Sequence, residues 1–181
     1  MARQPQLMES VMNRQALDGA WDQLRQKYGV YLRLIETFPE DRYHTHPVPG
    51  LRTVAEMVAH VSGTVLRDIA QGVAKGEITA DEDAEPRAAA GLRTRAELLA
   101  YARRCWKDAD AAVATIGDAQ LNAMVPTPWH MTFPGWVGFS IMSDEFLHHR
   151  GQLAAYARLC GVQPPFIWSF AGNAPEFRPA A

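Results

Sequence analysis

Two cysteines, Cys105 and Cys160, are all that the 181 residues contain. They are too few and too far apart for a disulfide framework or a thiolate zinc cluster. Both fall in stretches of helical periodicity, where small thiols are commonly buried, and neither has an identifiable basic partner that would activate it as a nucleophile. An excess of charge of one sign is missing as well. Eighteen basic against twenty acidic residues leave a net charge of −2, so no basic face tracks phosphate, and nucleic acid is not an expected partner. No apolar run reaches membrane-spanning length, and the opening Met-Ala-Arg-Gln-Pro-Gln holds no signal-peptide core; no membrane partner is expected, and a reducing cytoplasm is the expected compartment. The acidic group Asp81, Glu82, Asp83 and Glu85 lacks EF-hand spacing and reads as a solvated loop. Nor does any stretch alternate apolar and polar residues as a half-buried strand does. What remains, 48% hydrophobic and 21% charged, is the make-up of an ordinary globular chain, and one domain over residues 1–181 is the expectation.

Helical periodicity is abundant. Leu17, Ala20, Trp21, Leu24, Tyr28, Tyr31, Leu32 and Ile35 recur at the spacing of one helix face, and Pro39 ends the run. Residues 1–13 before it are polar and read as loosely held. Thr53-Val-Ala-Glu56 is a capping box that opens a second helix with the stripe Val54, Met57, Val58, Val61 and Val65, its end weakened by Gly72 and Gly76. Residues 78–91 read as a charged, alanine-rich connection holding Pro86. A second capping box, Thr94-Arg-Ala-Glu97, opens a third helix whose buried face is Leu98, Leu99, Ala102, Trp106, Ala109, Val113 and Ile116, closed by Gly117. Residues 118–134 form an apolar, proline-bearing connection. Pro134 suits the first turn of a fourth helix that runs to Cys160, where Gly161 is a natural terminating residue and Pro164-Pro165 bars continuation. The tail Phe166-Ile-Trp-Ser-Phe170 is too apolar for a loose end and is expected to pack on the bundle or on a partner subunit. The fold class is all-α, a four-helix bundle.

The fourth helix carries the chemistry. Glu145 and His149 stand four residues apart and project from one helix face, a spacing that lets two side chains hold one ion and leave coordination positions open. A third ligand has to come from elsewhere, and His60, at the edge of the second helix's apolar stripe, is the best candidate. The resulting metal set is His60, Glu145 and His149, between the second and fourth helices. His148 lies about 100° around the helix from His149. Asp144 faces away from Glu145 by the same argument and ranks below His148. His44 and His46 sit in the proline-bearing loop 41–50 and read as surface histidines. Gln152 could hydrogen-bond a ligating imidazole, and Arg150 could pair with Glu36 or Asp144. Trp129 and His130 are large side chains in a loop, which must pack on the bundle or line a pocket.

Taken together, Pro47-Val-Pro-Gly50 with Thr53 to His60, Phe133-Pro-Gly-Trp136, the run His148-His-Arg-Gly-Gln152, and Tyr156 to Gly161 with Pro164-Pro165 resemble the DinB/YfiT-like family of metal-dependent four-helix bundles over residues 15–168. The family's usual ligands are one histidine on the second helix and two histidines four apart on the last. These map onto His60, position 145 and His149, with glutamate replacing histidine at 145. Two histidines and a carboxylate are a competent set for zinc, nickel, iron or manganese. The resemblance implies a hydrolase or a thiol S-transferase acting on a small molecule, the latter using a low-molecular-weight thiol such as bacillithiol or mycothiol. In the transferase, a pocket edged by Trp129, His130 and Trp136 would hold the electrophile, and His130 and His148 are the candidates for a general base. The alternative is a non-catalytic, metal-stabilised, small-molecule-binding or stress-associated bundle, its ion closed by a fourth ligand from His148 or His46. A homodimer is the implied assembly.

Overall fold

Asn13 starts the first helix, accepting a hydrogen bond from the Ala16 amide through its side chain, and α1 then runs over Arg14–Thr37 until Phe38 and Pro39 turn the chain to extended geometry. The computed structural model describes residues 12–79 and 81–180. The expectation for the polar opening residues falls almost wholly on residues 1–11, outside the described ones.

After a 3₁₀ turn at Glu40–Arg42, the second rod is a continuous helix in three segments: α2 (Val54–Ala59), a π-helical stretch over His60–Asp68, and α3 (Ile69–Lys75). Thr53 and Glu56 form the capping box read from sequence. Gly76 ends the rod in a left-handed conformation, φ 89°, which a side chain would strain. The third rod is α5 (Arg95–Ala114), opened by Thr94 and Glu97 in the second capping box and closed at Thr115, not Gly117. The fourth is α7 (Gly135–Leu159), which Pro134 precedes as its N-cap and which Gly161, φ 75°, closes. These four rods form the bundle: α1 packs on α5 and α7, and the second rod packs on both α5 and α7.

Two connections hold more structure than their composition announces. Within residues 78–91 lies α4 (Ala84–Gly91), where Pro86 falls in the first turn and therefore removes no intrahelical hydrogen bond. Arg87 ties this helix to Asp81. Within 118–134, α6 (Asp118–Asn122) is followed by a small antiparallel hairpin, β1 (Met124–Pro126) and β2 (Thr132–Pro134), in register Val125 opposite Phe133. Three residues per strand are too few to show an alternating pattern, yet Val125 and Phe133 both turn into the core. The turn is closed by Thr127, whose amide and hydroxyl both donate to the Met131 carbonyl at 2.9 Å.

The core is aromatic at its centre. Trp21 stacks on Trp106 at 4.8 Å, and Tyr28 packs against Trp106, Tyr31, Phe146 and Phe177. Ser62 is buried and takes the hydroxyls of Tyr28 (3.0 Å) and Tyr31 (3.2 Å), so the polar atoms of this centre are satisfied. The tail divides. Asn173 donates to the Gln26 and Phe177 carbonyls and Phe177 is buried on α1 and α5, whereas Phe166, Ile167 and Trp168 stay exposed. No helix among the described residues is long and apolar enough to cross a membrane.

Candidate metal centre

The second rod and α7 meet where His60 faces Glu145 and His149. One donor atom from each of the three lies within 4.8 Å of the other two, and the two imidazole rings stand 4.8 Å apart and perpendicular. His149 is buried, while His60 and Glu145 are half-buried. The π segment begins at His60. Its wider turn aligns His60 with Thr64 and brings Val65 and Ile69 round to the same side, as their shared cavity shows.

Each histidine has one nitrogen committed. His60 donates Nδ1–H to Glu85 Oε2 at 2.8 Å, and His149 donates Nδ1–H to Gln152 Oε1 at 2.8 Å. Both Nε2 atoms are thereby left as lone-pair donors. For His149, that lone pair faces Glu145 Oε2 at 3.0 Å. Two acceptors at this distance repel unless a cation, a proton or a metal ion, lies between them. Burial pushes the His149 pKa down, with the neighbouring His60 adding to the effect against the Gln152 bond, which favours the neutral ligating form of the ring. Donors about 2.0–2.2 Å from a shared ion lie at most about 4.4 Å apart, so a small side-chain adjustment suffices to bring the three onto one ion. The residues present fit a divalent metal.

Glu85 is the residue that sequence reasoning left in solvent. From α4 it accepts from His60 Nδ1, from Thr64 Oγ1 at 3.2 Å and from Arg52 Nε at 3.1 Å. Burial alone would raise its pKa, but the hydrogen bond from His60 and the bond and charge of Arg52 outweigh it and hold the carboxyl below the usual glutamate range. Twenty-five residues separate Glu85 from His60, and nothing in the acidic run 81–85 distinguishes the one carboxylate that folds back.

A cavity of about 330 Å³ opens beside the ligands, lined by His60, Thr64, Val65, Ile69, Trp129, Ile141 and Glu145. Trp129 reaches it from the hairpin turn and is 48% exposed. Trp136, half-buried at the start of α7, and His130, exposed in the hairpin turn at φ 60°, are not among the lining residues. Gln152 bonds His149, and His148 is exposed with its ring 4.9 Å from that of His149. Asp144 points to solvent. His44 and His46 bond the Leu92 and Leu51 carbonyls instead. Arg150 pairs with neither Glu36 nor Asp144 among the described residues: its guanidinium lies over the Phe146 ring and one of its nitrogens is buried without a partner. Cys105 does have a basic neighbour, Arg67 at 3.7 Å, but burial outweighs it and pushes the thiol pKa up, so the group stays protonated.

The profile of the DinB superfamily matches residues 23–153. This chain belongs to the DinB superfamily. Among solved structures, it is similar to a DinB-like protein from Bacillus subtilis, with 21% identity over 82% of this chain and 95% of that one and a TM-score of 0.62. It is also similar to YfiT from Bacillus subtilis, described as a probable metal-dependent hydrolase with an unusual four-helix bundle topology, with 15% identity over 86% and 93% of the two chains and a TM-score of 0.60. At these identities the DinB fold is what is shared. No curated protein matches the sequence.

Proposed function

We propose that this DinB chain is a metal-dependent hydrolase of a small molecule, with one divalent ion held by His60, Glu145 and His149. The observation that carries the reading is the pair of imidazoles with Nδ1 engaged, the His149 Nε2 facing a Glu145 carboxylate that no lysine or arginine among the described residues pairs with. When bound, the ion supplies a Lewis acid that polarises a substrate oxygen and lowers the pKa of water. The chain's own contributions are separate. Glu85 and Gln152 hold the two rings, the half-exposed Glu145 leaves the solvent side of the set accessible, and the cavity beside His60 receives the substrate. His148, exposed next to the His149 ring, is the imidazole available to pass a proton to bulk water.

Hydrolysis is preferred to thiol transfer because the cavity lining contains no lysine or arginine to receive the acidic groups of a sugar-thiol cofactor. A purely structural ion is disfavoured because the donor group consists of three residues, and neither His46 nor His148 joins it. The bound metal, the reaction and a small-molecule substrate together form one testable reading. The deciding measurement is metal content of protein purified without a histidine tag, with zinc, nickel, iron and manganese titrations of the wild type and of His60→Ala, Glu145→Ala and His149→Ala. One ion per chain, lost in each variant, followed by ester or amide hydrolysis that disappears with the metal, is the expected result. A wild type that takes up no zinc, nickel, iron or manganese sinks it.

A further inference from the structure

We infer that the substrate of this centre carries an uncharged, apolar body, aromatic or branched aliphatic, seated against Val65, Ile69, Ile141 and Trp129. The inference rests on the reading of His60, Glu145 and His149 as the reacting end of the cavity. Two kinds of surface make up the lining. His60 and Glu145 contribute an imidazole and a carboxylate, and four apolar side chains, from the π segment, α3, the hairpin turn and α7, form most of the rest.

Two further polar groups remain: the Thr64 hydroxyl, already donated to Glu85, and the indole N–H of the half-exposed Trp129. The wall of Val65, Ile69 and Ile141 therefore offers no donor, and a charged or strongly polar substituent placed against it would lose its hydration without replacement. An anionic body is opposed twice, since Glu145 lines the cavity and no lysine or arginine does. About 330 Å³ is at the small end of the roughly 300–1,000 Å³ found for ligand clefts, which fits a single ring or a short branched chain plus the reacting group. Trp129 adds the geometry. Its indole is held out over the cavity by a turn closed through Thr127 and Met131, while Val125 and Phe133 anchor the strands beneath. A large apolar side chain left half in water at a cavity mouth gains burial when a flat apolar partner slides under it.

The test uses three small probes, benzamide, acetamide and benzoate, followed by NMR on the Ile69 and Ile141 methyls and the Trp129 indole N–H, in metal-free and zinc-loaded protein. Benzamide is expected to shift these resonances saturably in both forms. Acetamide should leave them in place, and benzoate should bind the metal-free protein at least about tenfold more weakly than benzamide. Trp129→Ala, a change in an exposed turn that leaves the core intact, should remove the indole signal and weaken benzamide severalfold. Benzamide shifts scattered over the surface, or acetamide or benzoate matching benzamide in the metal-free protein, overturn the substrate class. Zinc that fails to move the His60 and His149 ring resonances overturns the metal reading instead, and the metal-free titration still decides the substrate class by itself.

Discussion

His60 and His149 each have one ring nitrogen tied down and one released, and the residues that do the tying differ in kind. Gln152 shares a helix with His149, three residues on, so its position is secured by α7 alone. Glu85 arrives from α4 and has to be delivered by the fold. Glu85→Ala is expected to weaken zinc binding about 10–100-fold, the usual effect of losing a carboxylate behind a ligating imidazole. Glu85→Gln, which keeps an oxygen acceptor, should lose less. Competition against a chromophoric chelator reads both, and equal affinities for Glu85→Ala and the wild type would remove Glu85 from the centre. The i, i+4 pair Glu145 and His149 was legible from the chain because helical spacing alone places it on one face. Glu85 was not, because an acidic side chain in a polar segment looks the same whether it meets water or an imidazole.

Helix starts were also readable, since a capping box is a four-residue signal complete in itself. Thr53 matters more than its position suggests, because its rod carries His60 less than two turns further on. Thr53→Ala should cost about 1 kcal/mol, seen as a lower denaturant midpoint, and Thr94→Ala, at the start of α5, should cost a similar amount without touching metal affinity. The elements that escaped reading were α4, α6 and the hairpin, each too short for a period to establish itself, and the π segment, which is a change of hydrogen-bond register with no compositional mark. Gly29 shows a different kind of hidden constraint. A Cβ there would come within 2.6 Å of the Phe177 Cβ and against the Asn173 amide, so the face of α1 that receives the tail has no room for a side chain. Gly29→Ala is expected to destabilise by about 1–3 kcal/mol through this crowding and to open the tail to proteolysis. A tail as resistant as in the wild type would contradict the packing.

At the scale of the whole molecule, the bundle is sealed around its aromatic centre, while Leu159 at the end of α7 and Phe166, Ile167 and Trp168 of the tail stay from 39% to 69% exposed. The expected homodimer finds its only local support there. If a second copy covers these tail side chains, wild-type protein sediments as a dimer and Phe166→Lys with Trp168→Lys as a monomer; a wild type that stays monomeric at high concentration would sink that assembly. The four rods could be read from sequence because three show an apolar stripe, two open on a capping box, and each runs into a proline or glycine. How the cavity closes could not, since it depends on a hairpin that sets Trp129 across from Ile69 and Ile141.

The nine π-wound residues from His60 to Asp68 have a consequence for what kinds of change the site can absorb. A substitution within them alters one side chain; an indel alters the angular bookkeeping of everything downstream. Inserting one residue between Val65 and Asp68, where the winding is already wide, would swing Ile69 by about a quarter of a turn, leaving His60 where it is but emptying the cavity wall beside it. Such a variant should keep its zinc and lose its grip on benzamide. The second rod thus sets the ion by identity and the substrate by length.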